Sequence, residues 1–150
     1  MAGGTMSVEV TRVTKATPEL TTALNALIPQ LSSSTSPLSE SDVAELVANE
    51  SVTLLIAKSG ETVVGTLTLV TFPIPTGLRA WIEDVVVDEE ARGLGVGVAL
   101  TSAAIDIATS LGVKSIDLTS RPSREAANAM YVKIGFEKRE TNVYRYSLES

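Results

Sequence analysis

Apolar positions change their period several times along the chain, and each change marks an element. Val8 to Val13 alternates and predicts a strand. Thr17 then stands as an N-cap with Pro18 at the first helical position, and Leu20, Leu24, Leu27, Ile28 and Leu31 fall on one stripe of the following helix. Ser32 to Pro37 is polar and low in complexity, either a substrate-access loop or a plain linker. Ser39-Glu40-Ser41-Asp42 resembles a capping box and opens a short helix with Val43, Leu46 and Val47 inward. Val52 to Ala57 and Val63 to Val70 read as strands joined by the hairpin signal Lys58-Ser59-Gly60-Glu61. Phe72 to Gly77, with two prolines, predicts a loop leading to a third strand at Arg79.

The stretch from Trp81 to Leu100 organises the rest. Residues 81 to 87 are mostly β-branched or aromatic and suit a largely buried strand, which Asp88, Glu89 and Glu90 break. Arg92-Gly93-Leu94-Gly95-Val96-Gly97 follows, and from Val98 the pattern is helical. Leu100, Ala103, Ala104, Ile107 and Leu111 share a face, and Gly112 is a C′ residue. No Ser, Thr, Asp or Asn lies between Ala91 and Leu100 to cap that helix. Free N–H groups at a positive helix end, close-approach glycines and Arg92 together make a phosphate site. The plainer alternative is a glycine cap with water on the amides. A P-loop is excluded, because no lysine occurs between Lys58 and Lys114. The glycines run G-x-G-x-G rather than G-x-G-x-x-G, so a dinucleotide-binding domain using Asp117 is the weaker reading.

A helix after the glycine turn must cross over to a parallel strand, Ser115 to Thr119. Ser123 is the expected N-cap of a further helix on which Ala127, Met130, Tyr131 and Ile134 share a face, ended by Gly135. Val143 to Leu148 predicts a last strand. An antiparallel meander followed by one βαβ unit gives an α/β fold of the α+β kind, a mixed, mostly antiparallel sheet flanked by helices in one domain. Residues 1–5 read as a flexible lead-in, with Met6 a candidate start and 6–150 the domain.

Composition narrows the chemistry more than the fold. The chain has 150 residues with no cysteine and no histidine, which removes thiol nucleophiles, Ser-His-Asp triads and His- or Cys-ligated zinc. No metal is expected. A net charge of −6 argues against nucleic-acid binding through a basic face. No apolar run reaches a membrane span and no signal peptide is evident, so the expected location is cytoplasmic, with no membrane partner.

Arg92 to Gly97 resembles the Arg/Gln-x-x-Gly-x-Gly/Ala pyrophosphate loop of the GNAT superfamily of N-acetyltransferases. Ala127 to Phe136 resembles the same family's Ala-x-x-x-Tyr-x-x-x-Gly-Phe segment, and the two stand in the right order. The resemblance covers roughly Ser51 to Leu148. It implies that acetyl-CoA wedges between two splayed parallel strands, held by Arg92, Gly93, Leu94, Gly95, Val96, Gly97 and Val98. Backbone N–H groups of Val85, Val86 and Val87 would bind the thioester carbonyl. Tyr131 would be the general acid, although periodicity alone suits a core aromatic. Ser123 and Arg124 stand where the family often places an Asn that meets the pantetheine arm. Glu83 and Asp84 are the candidate bases, through a water. Alternation puts them on opposite faces, with Glu83 beside Trp81, Val85 and Val87. The implied activity is direct acetyl transfer in a ternary complex to a primary amine, small-molecule or peptide. A catalytically silent acyl-CoA-binding module stays open, as does a homodimer.

Overall fold

The structure, a computed structural model, describes residues 7–149. The expected lead-in at 1–5 lies outside the described residues. By contacts the chain forms two compact units, one up to Thr119 and one from Ser120.

The first unit is a five-stranded sheet in the order β1-β2-β3-β4-β5. Its strands are β1 (Val8–Arg12), β2 (Val52–Ser59), β3 (Thr62–Ile74), β4 (Gly77–Val87) and β5 (Ile116–Asp117). Neighbours are antiparallel except β4 and β5, which are parallel, so the predicted mixed sheet forms. Between them lie α1 (Pro18–Leu27), α2 (Glu40–Ala48) and α3 (Val96–Ser110). No helix among the described residues is long and apolar enough to cross a membrane.

The caps form as local chemistry dictates. Thr17 Oγ1 accepts the Leu20 N–H at 3.1 Å, with Pro18 at the position where its missing N–H costs nothing. Ser39 and Asp42 complete a reciprocal capping box. These two helices close one face of the sheet through a cluster of Val13, Leu20, Leu24, Val43, Leu54 and Ile56. Helix α3 covers the opposite face so closely that a Cβ on Gly65 of β3 would sit 2.7 Å from Val96 Cγ1. Gly65 is what lets this helix approach.

Several expectations need correction. Helix α3 begins at Val96, not Val98, and buries Val96, Leu100, Thr101, Ala104 and Ala108. Leu111, expected inward, is 51% exposed. Small residues at 104 and 108 permit the close approach, Ile107 is half-buried, and Leu111 falls at the C-cap, past the end of the packed face. Phe72 to Ile74 continues β3 instead of forming a loop. Thr71 N–H donates to Ser51 O, and Pro73 would donate on that same side, where β2 has already ended. The missing N–H therefore costs no ladder bond. Strand β5 pairs with β4 only at Ile116 and Asp117, not from Ser115 to Thr119.

In the second unit, α4 spans Glu125–Ile134 with Tyr131 buried, and ends at Gly135. Its N-cap is Arg124, not Ser123. The Arg124 N–H bonds back to Arg121 O, and Asn128 Nδ2 reaches the same carbonyl at 3.0 Å, so the turn is fixed without a hydroxyl cap. The strand expected at Val143 to Leu148 is not formed, and Leu148 is 91% exposed. Its alternation is only a local preference, and this unit contains no described strand to pair with it.

Candidate active site

A bulge in β4 sets the geometry. Thr68 pairs with Glu83 and Thr66 with Val86, so the single residue Leu67 faces both Asp84 and Val85. Asp84 absorbs the extra residue at φ 49°, in the left-handed region that aspartate tolerates better than most side chains. Simple alternation therefore fails across it. Glu83 shares the face of Trp81, as expected, but the register puts Val86 on that face rather than Val85 and Val87. This is the α1 side of the sheet, since Leu54 and Ile56 are the β2 partners of Thr68 and Thr66. Both carboxylates are exposed.

The same bulge re-aims the backbone. Before it, Ala80 N–H points toward β5 and donates to Ser115 O. With N–H groups alternating sides, an unbroken strand would aim Asp88 the same way. Asp88 instead donates to Val64 O on β3. The parity has flipped, so the N–H groups of Val87 and Val85 point to the β5 side. Strand β5 no longer pairs there, because its ladder with β4 ends at Trp81 and Asp117. Two backbone donors with no strand partner among the described residues thus line the gap left where β5 stops pairing with β4.

Beyond Val87 the chain makes a short 3₁₀ turn, Glu89–Ala91, and then enters the glycine turn. Gly95 is the N-cap of α3 at φ 80°, without any side-chain cap bond. A Cβ there would meet nothing within 4 Å, so glycine is required by conformation and leaves open space. The N–H groups of Val96, Gly97 and Val98 begin the helix without intrahelical partners. Arg92, Leu94 and Val98 are exposed beside them. This combination fits an extended diphosphate ligand: open amides at a positive helix end, a cation, and a strand gap leading inward. Among the described residues no group of three or more His, Cys, Asp or Glu could hold a metal ion.

In the second unit Tyr131 is 6% exposed, with its ring edge-on to Phe136 at 5.7 Å. Burial raises its pKa above the ordinary 10.0, and the charge of Arg124 opposes the shift. The phenol is therefore a proton-bearing group throughout the neutral range. Ser123 and Arg124 are exposed at the start of α4.

Sequence reading missed Gln30. It ends the 3₁₀ turn Ile28–Gln30 after α1, and its Oε1 accepts the Glu89 N–H at 3.1 Å. No local pattern signals a bond between residues 59 positions apart.

A family model described as acetyltransferase (GNAT) family matches residues 21–136. N-alpha-acetyltransferase 30 of Schizosaccharomyces pombe is 36% identical over 73 residues, covering 49% of this chain and 48% of that protein. The chain thus spans about half the length of the curated relative it matches. An acetyltransferase from Trypanosoma brucei superposes with a TM-score of 0.77 at 25% identity, over 95% of this chain and 100% of that one. An aminoglycoside acetyltransferase from an uncultured soil metagenomic sample gives a TM-score of 0.84 over 95% and 97%, where the identity of 17% makes the likeness one of fold.

Proposed function

This chain belongs to the acetyltransferase (GNAT) family, and on that footing we propose that it transfers the acetyl group of acetyl-CoA directly to a primary amine. The observation that carries the reading is the uncapped start of α3 at Gly95, set beyond a bulged strand whose free N–H groups line a gap. Acetyl-CoA supplies the activated acyl group. Arg92 and the amides from Gly93 to Val98 hold its diphosphate, and Ser123 and Arg124 contribute to the rest of its arm.

The N–H groups of Val85 and Val87 stabilise negative charge on the carbonyl oxygen, and Val86 between them fixes their spacing. Glu83 takes the proton of the attacking amine through a water, while the amine nitrogen bonds to the acetyl carbon and the carbon–sulfur bond breaks. Asp84, exposed at the bulge itself, is the second candidate for that role. Tyr131 gives its phenolic proton to the departing sulfur. The acceptor is an amine of a small molecule or a peptide, the classes named for the relatives: an N-alpha-acetyltransferase and an aminoglycoside acetyltransferase. The chain has no thiol or imidazole nucleophile, which favours direct transfer over a covalent enzyme intermediate. No spanning helix is present among the described residues, and a cytoplasmic location belongs to the same proposal.

Thermal unfolding with acetyl-CoA and with NAD tests the coenzyme. A ligand that binds only the folded state raises stability by about 2.7 kcal/mol at a hundredfold excess over Kd. Acetyl-CoA should raise Tm and NAD should not; the reverse would favour the dinucleotide reading. Gly97→Val is the sharper variant, because Gly97 is not among the residues with positive φ and its replacement should fold. It should lose the acetyl-CoA shift. A Gly97→Val protein that binds acetyl-CoA as tightly as the parent would refute this placement.

A further inference from the structure

The hydroxyl-rich segment between α1 and α2 is tied down at both ends. At its far end Asn25 makes a two-point clamp, with Nδ2 donating to Leu38 O at 2.9 Å and Oδ1 accepting Leu38 N–H at 2.8 Å. At its near end Leu31 and Ser32 donate to Ile28 O. Gln30 sits at that near end with both ends of its amide in use. Its Nε2 donates to Ala26 O at 3.4 Å, which orients Oε1 toward the Glu89 N–H at 3.1 Å. Glu89 opens the 3₁₀ turn that delivers Arg92 and the glycine turn. The 3₁₀ turn carrying Gln30 packs on β4, and α1 covers the face that bears Trp81 and Glu83. The segment from Ser32 to Pro37 joins the two helices that cover this face, and Leu38 at its far end packs against their core.

We propose that Gln30 is a positioning residue that couples the glycine turn to the wall of the acceptor side, so that filling the coenzyme site orders the segment from Leu31 to Ser36. This rests on the glycine turn being the coenzyme site. The physical reason is that the Glu89 amide can keep its Gln30 partner only while the turn after β4 stays in one position. A diphosphate bound a few residues later narrows the conformations of that turn. The narrowing reaches Leu31 through a single hydrogen bond followed by one helical turn. Coupling is reciprocal, so an amine bound against the segment raises coenzyme affinity by the same factor. Within the segment, Thr35 Oγ1 bonds to Ser32 O and the Ser32 and Ser34 hydroxyls lie 3.2 Å apart, so ordering at one end presents several hydroxyls together.

The experiment needs no knowledge of the acceptor. Amide resonances of the full chain are followed by NMR as coenzyme A is added to the parent and to Gln30→Met. This variant keeps the side-chain length and removes the amide oxygen at an exposed position. In the parent, Gly93 to Gly97 and Leu31 to Ser36 should both shift. In Gln30→Met the glycine turn should respond as before, while the response of Leu31 to Ser36 falls roughly twofold or more, the weak end of what one hydrogen bond contributes. Gln30→Ala should reproduce the loss, separating it from any effect of the thioether.

An equal response of Leu31 to Ser36 in parent and variants would overturn the coupling. So would a silent segment in the parent alongside a responding glycine turn. A glycine turn that ignores coenzyme A would overturn the coenzyme reading first, and this inference with it.

Discussion

A left-handed φ at Asp84 costs on the order of 1 kcal/mol in a residue with a side chain, and persists only where the surroundings impose it. That cost separates the two neighbouring carboxylates. If Asp84 serves the backbone and Glu83 the chemistry, Asp84→Gly should be neutral or stabilising by up to about 1 kcal/mol and keep activity. Glu83→Gln should lower kcat/KM with Tm unchanged. The reverse pattern would move the base to Asp84. Tyr131→Phe removes one oxygen and keeps the edge contact with Phe136, so acetyl-CoA affinity should hold while kcat falls ~10²–10⁴-fold. An unchanged kcat, or a loss of stability without a specific rate effect, would leave Tyr131 a core aromatic. Its pH dependence has a definite sign. Burial raises the pKa above 10.0, so the phenol stays protonated until the pH exceeds the ordinary tyrosine range. Its stability contribution is complete below that range and is lost as pH rises through the folded-state value. The alkaline limb of kcat should therefore lie above pH 10 in the parent and vanish in Tyr131→Phe, as a pH–rate series would show.

Among the elements, α3 and β3 meet where Gly65 has no side chain. Gly65→Ala brings a Cβ to 2.7 Å from Val96 Cγ1 and 3.1 Å from both Leu100 Cδ1 and Val86 O. Overpacking of this kind costs about 1–3 kcal/mol, which thermal unfolding would register as a lowered Tm. Because Val96 opens α3, acetyl-CoA affinity should fall with it. An unaltered Tm would mean that α3 sits further from the sheet than described. What was legible in the sequence divides along the same physical line. The Thr17 and Ser39 caps are settled by residues within a few positions of one another and form as read, whereas periodicity placed Leu31, Leu46 and Leu111 inward and the structure exposes them. The bulge is a relation between β3 and β4, visible only as Leu67 facing Asp84 and Val85, so alternation misplaced Val85, Val86 and Val87. The bond from Gln30 to Glu89 is equally non-local. Val143 to Leu148 carries a strand pattern without a strand, since pattern supplies a preference and pairing supplies the element.

At the scale of the whole molecule, the net charge of −6 and the exposed Glu83, Asp84, Glu89 and Glu90 suit an amine that approaches as a cation and loses its proton at the site. Arg92 stands among these acids as the one cation of its turn, which keeps the attraction for a diphosphate local. Lacking cysteine and histidine, the chain has neither a thiol nor an imidazole to carry an acetyl group between two half-reactions. If both substrates are bound at once, as proposed, initial rates over a grid of both concentrations should give intersecting lines. The most direct measurement follows free coenzyme A thiol as acetyl-CoA is mixed with the protein and a panel of amines: an aminoglycoside, a peptide with a free N-terminus, a lysine peptide and simple primary amines. The account predicts amine-dependent thiol release, matched one for one by acetylated amine and abolished in Gly97→Val. It would be contradicted if acetyl-CoA bound tightly and no amine released thiol, or if thiol release left an acetylated protein that then turned over when amine was added.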